Sequence, residues 1–378
     1  INPPDPFNKW NGSVDTNWFN CNNWTLLTVP DEFTDVVVDA TATRDCNVDY
    51  LAPFSNVYSD LAKSKDLTIN GRKLMLNGSS NNKIEVYGNL TIGASGALET
   101  SDNTNGTPDG QIYLYGNWTN NASTGETAYK QGEGTVHFKG STNQIINNVT
   151  PYGTEVFYNV VLDNNFFTSV SNDLIAEGNL TINSGKTVNI DSAGYIVAGK
   201  SLIHNGDLTI ENNGQFVQVD ETDTNSGTYT GTKFEVKREA QAKNYDYIYW
   251  SSPTDNFPVA SLPNAYRYEW STLYNNTNGS QGNWVAPTTT NMARGKGYIA
   301  RANNGALTAQ TLPVSFTGKP FNGQFSFLIE RGTYNGPDID LEPGNPNNAF
   351  TTKYDDNWNL VGNPYPSAID AEEFLVLN

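Results

Sequence analysis

Charged side chains are scarce in this 378-residue sequence, at 16% of the total. Lys and Arg number 22 against 40 Asp and Glu, a net charge of −18, which excludes nucleic acid as a main partner because counterion release would oppose binding. Histidine occurs twice, as His137 and His204, with no HExxH and no GxSxG in the chain, so histidine-centred hydrolysis has little material. Cysteine also occurs twice, and neither Cys21 nor Cys46 sits in a CxxC or Cys/His spacing that would hold zinc. No run approaches the roughly 20 apolar residues of a membrane helix. The opening Ile1-Asn2-Pro3-Pro4 lacks a basic-then-apolar leader, so the chain reads as soluble with any export signal already removed.

What is present is turn residues and rings: 33 Gly and 18 Pro among many Asn, Thr and Ser, with 8 Trp, 20 Tyr and 17 Phe for bulk. That is an all-β composition and not a disordered one. Gly88-Asn89-Leu90-Thr91-Ile92 recurs as Gly116-Asn117-Trp118-Thr119, Gly178-Asn179-Leu180-Thr181-Ile182 and Gly206-Asp207-Leu208-Thr209-Ile210. Weaker copies such as Asp66-Leu67-Thr68-Ile69, Thr135-Val136-His137-Phe138 and Asn159-Val160-Val161-Leu162 fill the gaps. A short alternating strand cannot bury its face alone, whereas units of about 20 to 28 residues stacked in register can, which predicts a right-handed parallel β-helix. The equal offsets predict a solenoid over about 35–220 with Leu90, Ile92, Leu180, Ile182, Leu208 and Ile210 in stacked inward rows.

Near Thr230 the character changes: Lys233, Lys237, Arg238 and Lys243 cluster and the Gly-Asn unit stops. The expected domains are 1–233, cap and β-helix, and 234–378, an antiparallel sandwich or jelly roll built from alternating runs such as Tyr245/Tyr247/Tyr249 and Phe325/Phe327/Ile329. Cys21 and Cys46 are expected to form a disulfide, worth about 3 kcal/mol in the chain-entropy model, with two buried thiols the alternative. Trp18 and Trp24 are expected to cover the open end of the first coil.

Several segments could carry chemistry. Gly194 to Ser201 matches the phosphate-loop pattern letter for letter, but it runs into a strand repeat instead of a helix, so a solenoid strand and turn is expected. His137, alternating with Val136 and Phe138, is expected to face outward. Asp173, Glu177, Asp191 and Asp207 fall on neighbouring coils with Lys186 and Lys200 nearby; gathered in one groove they could cleave a glycan, and scattered they are a solvated face. Asp338, Asp340 and Glu342 alternate in a Gly- and Pro-rich loop that suits a structural calcium ion, and 220–223 form a second acidic turn. Tyr266, Tyr268 and Trp270, with Tyr274 and Trp284 nearby, form either a sugar-stacking platform or, as the alternation favours, a buried core row.

Two stretches carry a family resemblance. Trp10-Asn11-Gly12, Trp18, Cys21-Asn22-Asn23-Trp24, Pro30 and Asp35-Val36-Val37-Val38 resemble the tryptophan-rich cap of exported surface proteins of Bacteroidota, which leads into a parallel β-helix. Asn357-Trp358-Asn359-Leu360-Val361-Gly362-Asn363-Pro364-Tyr365-Pro366-Ser367-Ala368-Ile369-Asp370 is similar to a motif of proteins sent out by the type IX secretion system, preceded by Tyr249-Trp250-Ser251-Ser252-Pro253 and Gly295-Lys296-Gly297-Tyr298 of the same module. The resemblance implies an extracellular or outer-membrane surface location, secretion and attachment machinery as partners, and a separate sorting domain. The sequence stops at Asn378 without one, so a fragment of a longer polypeptide is expected. Asp191-Ser192-Ala193 resembles the short O-glycosylation acceptor of that phylum, with Ser192 as its site. The expected function is non-enzymatic: adhesion or surface assembly, contacting glycans or neighbouring surface proteins, with a carbohydrate-active enzyme or glycan-binding module as the alternative.

Overall fold

The computed structural model describes residues 7–49, 61–76, 82–100, 109–122, 128–148, 155–165, 167–168, 173–220, 229–276, 281–302, 308–340, 343–345, 350–351 and 357–377. The chain divides into two compact units, Ile1–Lys233 and Phe234–Asn378.

The first unit is a parallel β-solenoid of about 7 turns. One sheet runs through it unbroken: Ala62–Ser64, Lys83–Val86, Gln111–Leu114, Thr135–Phe138, Asn159–Leu162, Leu180–Ile182 and Leu202–His204, each parallel to the next. We call it the spine sheet. The other faces change partway. Up to Ile146–Asn148 they are the sheet containing Val36–Asp39, Leu67–Asn70, Leu90–Ile92 and Trp118–Asn120, and the sheet of Cys46–Asn47, Lys73–Met75, Ala97–Glu99 and Tyr129–Lys130. Beyond it they are Val156–Phe157, Leu174–Ala176, Tyr195–Ala198 and Gln215–Gln218 on one face, and strands including Thr187–Ile190 and Asp207–Ile210 on another.

Alternation sets the core. Ile84, Ile112, Val136 and Val160 share one register row of the spine and are fully buried, as are Val86, Leu114, Phe138 and Leu162 in the next. Each such side chain contributes about 1.5–3 kcal/mol of burial. Where one set of faces gives way to the other, Trp118, Tyr129, Phe138 and Phe157 fill the interior edge-on, with Trp118 5.1 Å from Phe157 and 4.8 Å from Tyr129.

The six residues expected as stacked rows are all fully buried, but the rows are different ones. Leu90 pairs with Leu67 and Trp118; Leu180 pairs with Val160 and Leu202 on the spine; Leu208 pairs with Val188 on a third sheet. Leu180 and Leu208 therefore do not stack. The reason is that Gly-Asn marks a type of corner, not a face. Asn89 donates its N–H to Asp66 Oδ1 over 2.6 Å, and its own Oδ1 accepts the Asn117 N–H over 2.9 Å, while Asn117 Oδ1 accepts from Ile145 N. The same ladder recurs at a different corner, where Asn159 Oδ1 accepts from Asn179 N and Asn179 Oδ1 from Ser201 N. Glycine precedes the ladder because the coil beneath is too close for a side chain: a Cβ on Gly116 would lie 2.3 Å from the Gly88 carbonyl oxygen.

The open end is plugged by tryptophans. Trp10, Trp18 and Trp24 are fully buried, with Trp24 edge-on to both others at 5.1 and 4.7 Å. Trp24 Nε1 donates to Trp18 O, and Trp10 Nε1 to Arg44 O. The disulfide expectation is corrected here, because Cys21 and Cys46 are free thiols. Cys46 points into the coil opposite Leu74, whereas Cys21 begins the surface turn Cys21–Asn23, so the two side chains serve different layers. Burial pushes the Cys46 thiol well above its usual pKa. Cap rigidity instead comes from Asp15, which accepts from Asn17 N, Asn20 Nδ2 and Asn23 Nδ2.

The second unit is antiparallel. Lys233–Ala242 pairs with Gln310–Thr317, and a four-stranded sheet runs in the order Tyr247–Trp250, Tyr298–Arg301, Arg267–Asn275, Gln281–Val285. One face of that sheet is core: Tyr298 and Ala300 are buried, and Trp250 lies 6.3 Å from Phe316, itself 4.6 Å from Phe257. Ile339–Asp340 pairs with Phe350–Thr351, and among the described residues one α-helix, Ala371–Leu377, occurs near the end. No described helix is long and apolar enough to cross a membrane.

Candidate functional site: an outward aromatic sheet face

The other face of the four-stranded sheet carries rings to solvent. Register puts Tyr249 opposite Ile299, Ile299 opposite Tyr268, and Trp270 opposite Trp284, all on one side. Tyr249 is 65% exposed and Tyr247 41%, while Tyr268, Trp270 and Trp284 are half-buried. Ile299 lies on the same side yet is buried, so the flanking rings stand over it as over a floor. Neighbouring ring centres are 6.1 Å apart for Tyr247 and Tyr268, 6.5 Å for Tyr249 and Trp284, and 5.4 Å for Trp270 and Trp284. Their planes are tilted by 49 to 77°, so no ring face is fully covered by its neighbour. At one end the Arg301 guanidinium lies 3.8 Å over the Tyr266 ring and 5.2 Å from the Tyr245 ring, a cation held by two aromatic faces.

The core-row expectation for Tyr266, Tyr268 and Trp270 is thereby corrected. Alternation demands one buried face, but on this strand the buried positions are Glu269 and Thr272. Glu269 stays buried because Lys296 Nζ meets its Oε1 at 3.0 Å and Thr288 Oγ1 donates to it at 2.9 Å. An inward carboxylate leaves the aromatics outside.

A second aromatic group lies outward on the spine sheet and differs in geometry. Tyr87 and Tyr115 stack at 4.9 Å and 2°, and Tyr113 and His137 at 4.2 Å and 10°. Rings stacked along the coil axis cover one another and turn their edges outward. Lys139 Nζ sits over Tyr113 and Tyr115, and Tyr87 donates its hydroxyl to Glu85 Oε2. His137 faces outward, with its pKa lowered to about 4 by burial, aided by Lys139 and Lys83. His204 is buried, its Nε2 3.1 Å from Lys233 O.

The remaining sequence candidates are dispersed. Gly194 to Ser201 is the strand Tyr195–Ala198 and the corner after it, where Gly199 N donates to Ala176 O, Lys200 N to Gly178 O and Ser201 N to Asn179 Oδ1. Those amides are committed to the coil beneath. Asp173 and Asp191 lie at one corner, Glu177 at the next and Asp207 at a third, with Asp173 Oδ1 accepting from Tyr195 N and Glu177 Oε2 from Gln131 Nε2. They form no single strip. Asp338 and Asp340 are exposed, and Glu342 lies outside the described residues, as do 221–223 of the second acidic turn. Among the described residues no group of three or more His, Cys, Asp or Glu could hold a metal ion. Ser192 is exposed on the turn between Thr187–Ile190 and Tyr195–Ala198.

The three C-terminal motifs converge. Gly297 N donates to Leu360 O, Gly362 N to Gly295 O, and a Cβ on Gly362 would meet the Ser251 side chain at 2.4 Å. Asn363 Oδ1 accepts from Tyr365 N and its Nδ2 donates to Ser367 O, which fixes the turn between the buried Pro364 and Pro366. Tyr365 donates its hydroxyl to Gly323 O at 2.9 Å, and Arg294 lies over Phe325 at 4.4 Å. The sequence resemblance placed the three segments in one module, but not their contacts, because each lies about 40 to 60 residues from the next along the chain.

These features define a parallel β-solenoid followed by an antiparallel β module. Residues 145–378 match the domain of unknown function DUF8693, well over half of the chain, and the chain belongs to that family. The match begins beside Ile146–Asn148, where the first set of solenoid faces ends. No curated protein and no solved structure matches the chain.

Proposed function

We propose that the chain is an exported cell-surface protein acting in adhesion or surface assembly, without turnover, and that it forms part of a longer polypeptide handled by a type IX secretion route. The observation that carries this reading is the outward aromatic face on the second unit, a contact surface on which Tyr249 is 65% exposed and Tyr247 41%. Its module resemblance is supported by the packing of Tyr249 to Pro253, Gly295 to Tyr298 and Asn357 to Asp370 into one cluster. The solenoid is taken as right-handed because parallel crossovers of a right-twisted sheet strongly favour that hand. The ribbon and four-stranded sheet of the second unit are read as the two layers of a sandwich.

The test is surface labelling of intact cells producing the full-length protein, with and without a working type IX translocon. Labelling that disappears with the translocon is expected. Protein confined to the cell interior in both strains would overturn the reading, as would release of products from a glycan panel by the purified chain.

A further inference from the structure

We propose that the outward face of the four-stranded sheet binds a neutral polysaccharide, its rings stacking on successive pyranose units. This deepens the adhesion reading and rests on it only for where the glycan is met. The ring centres lie 5.4 to 6.5 Å apart within the pairs Tyr247–Tyr268, Tyr249–Trp284 and Trp270–Trp284, a separation on the order of one sugar unit. A pyranose offers a C–H face to a ring and hydroxyls to its edge, so the acceptor must expose ring faces with polar handles beside them. Tyr247, Tyr249, Tyr268 and Trp284 supply both and Trp270 its ring alone, its indole N–H being buried, whereas the edge-out stacks of Tyr87 with Tyr115 and Tyr113 with His137 do not.

Charge selects a neutral ligand. Among the described residues the ring row carries one ionic group, Arg301, and its guanidinium is already sandwiched by Tyr245 and Tyr266. An acidic polymer would meet a chain of net charge −18 with one cation to hold it. Tyr, Trp and Arg are also the side chains enriched at protein interfaces, and a protein occupant is the outcome in which none of the neutral glycans binds.

Calorimetry and tryptophan fluorescence on the purified chain titrated with cellohexaose, laminarihexaose, mannohexaose and hexagalacturonate test this. Saturable binding of at least one neutral hexasaccharide is expected, accompanied by a shift in Trp270 and Trp284 emission. Tyr249→Ala and Trp270→Ala should each weaken it by about tenfold, and Tyr87→Ala should leave it unchanged. Because Trp270 is half-buried and its loss could disturb folding, the 65% exposed Tyr249 carries the decisive variant. Binding to none of the neutral probes, binding to hexagalacturonate alone, or binding undiminished by Tyr249→Ala would overturn the proposal. A surface-labelled protein that binds no glycan defeats this inference alone; glycan binding by a protein that never reaches the surface defeats the adhesion reading and leaves the platform standing.

Discussion

Trp118 and Glu155 meet inside the solenoid, the indole Nε1 donating to the carboxylate Oε2 over 2.9 Å, with Asn120 Nδ2 donating to the same oxygen. Burial raises the Glu155 pKa above the ordinary 4.5 against these two donors. A carboxyl whose folded pKa is raised binds its proton more tightly in the folded state, so its favourable contribution is full below the unfolded value and lost as pH rises through the folded one. Glu155→Gln keeps an oxygen for both donors and removes the charge. Its melting temperature should exceed that of the parent by more at neutral than at mildly acidic pH; a pH-independent difference would refute the assignment.

His137 has the opposite sign. Its folded pKa is depressed from 6.5 to about 4, so the stability it confers is present above 6.5 and lost as pH falls through about 4. His137→Phe retains the stack on Tyr113 and removes the titration. Chemical denaturation of the two proteins should show the parent losing stability relative to the variant across that window, and NMR should find the imidazole neutral at pH values well below 6.5.

Two glycine substitutions separate steric from conformational cost. Gly116→Ala forces a Cβ to 2.3 Å from a backbone oxygen that cannot yield, and should destabilise by about 3 kcal/mol. Gly185 has φ +74° with nothing within 4 Å, so Gly185→Ala should cost only about 1 kcal/mol of left-handed strain. Equal losses in urea denaturation would contradict the packing at the Gly-Asn corner.

Lys296→Met strands the Glu269 carboxylate in the second unit and should cost about 3–5 kcal/mol, since a buried charge without its partner is expensive. Adding Glu269→Gln should recover most of the loss. If the double variant is no more stable than Lys296→Met, the pair is not the reason Glu269 is tolerated inside.

Much of the first unit was legible because period-2 alternation and the Gly-Asn repeat are local signals. Leu90, Leu180 and Leu208 all point inward for that reason. Which sheet each joins was not legible, since Asn89 and Asn179 perform the same hydrogen bonding at different corners and coil length varies. The aromatic face was half legible. Tyr266, Tyr268 and Trp270 stood out by spacing, but the choice between core and surface depended on Glu269, whose burial rests on Lys296 from a distant segment. The cysteines misled for a similar reason: two in an otherwise cysteine-free chain suggest a bond, yet inward Cys46 and the surface turn at Cys21 belong to separate layers.

Among the described residues the spine sheet is the one element that passes through the point where both other faces are exchanged, and the family match begins at that same point. A joint with this construction asks little of what is attached to it: any coil that presents a spine strand in register can be added or removed beyond it. The first unit is therefore adjustable in length by whole coils, each changing its reach by about 4.8 Å, while the Trp10, Trp18 and Trp24 plug closes whatever coil comes first.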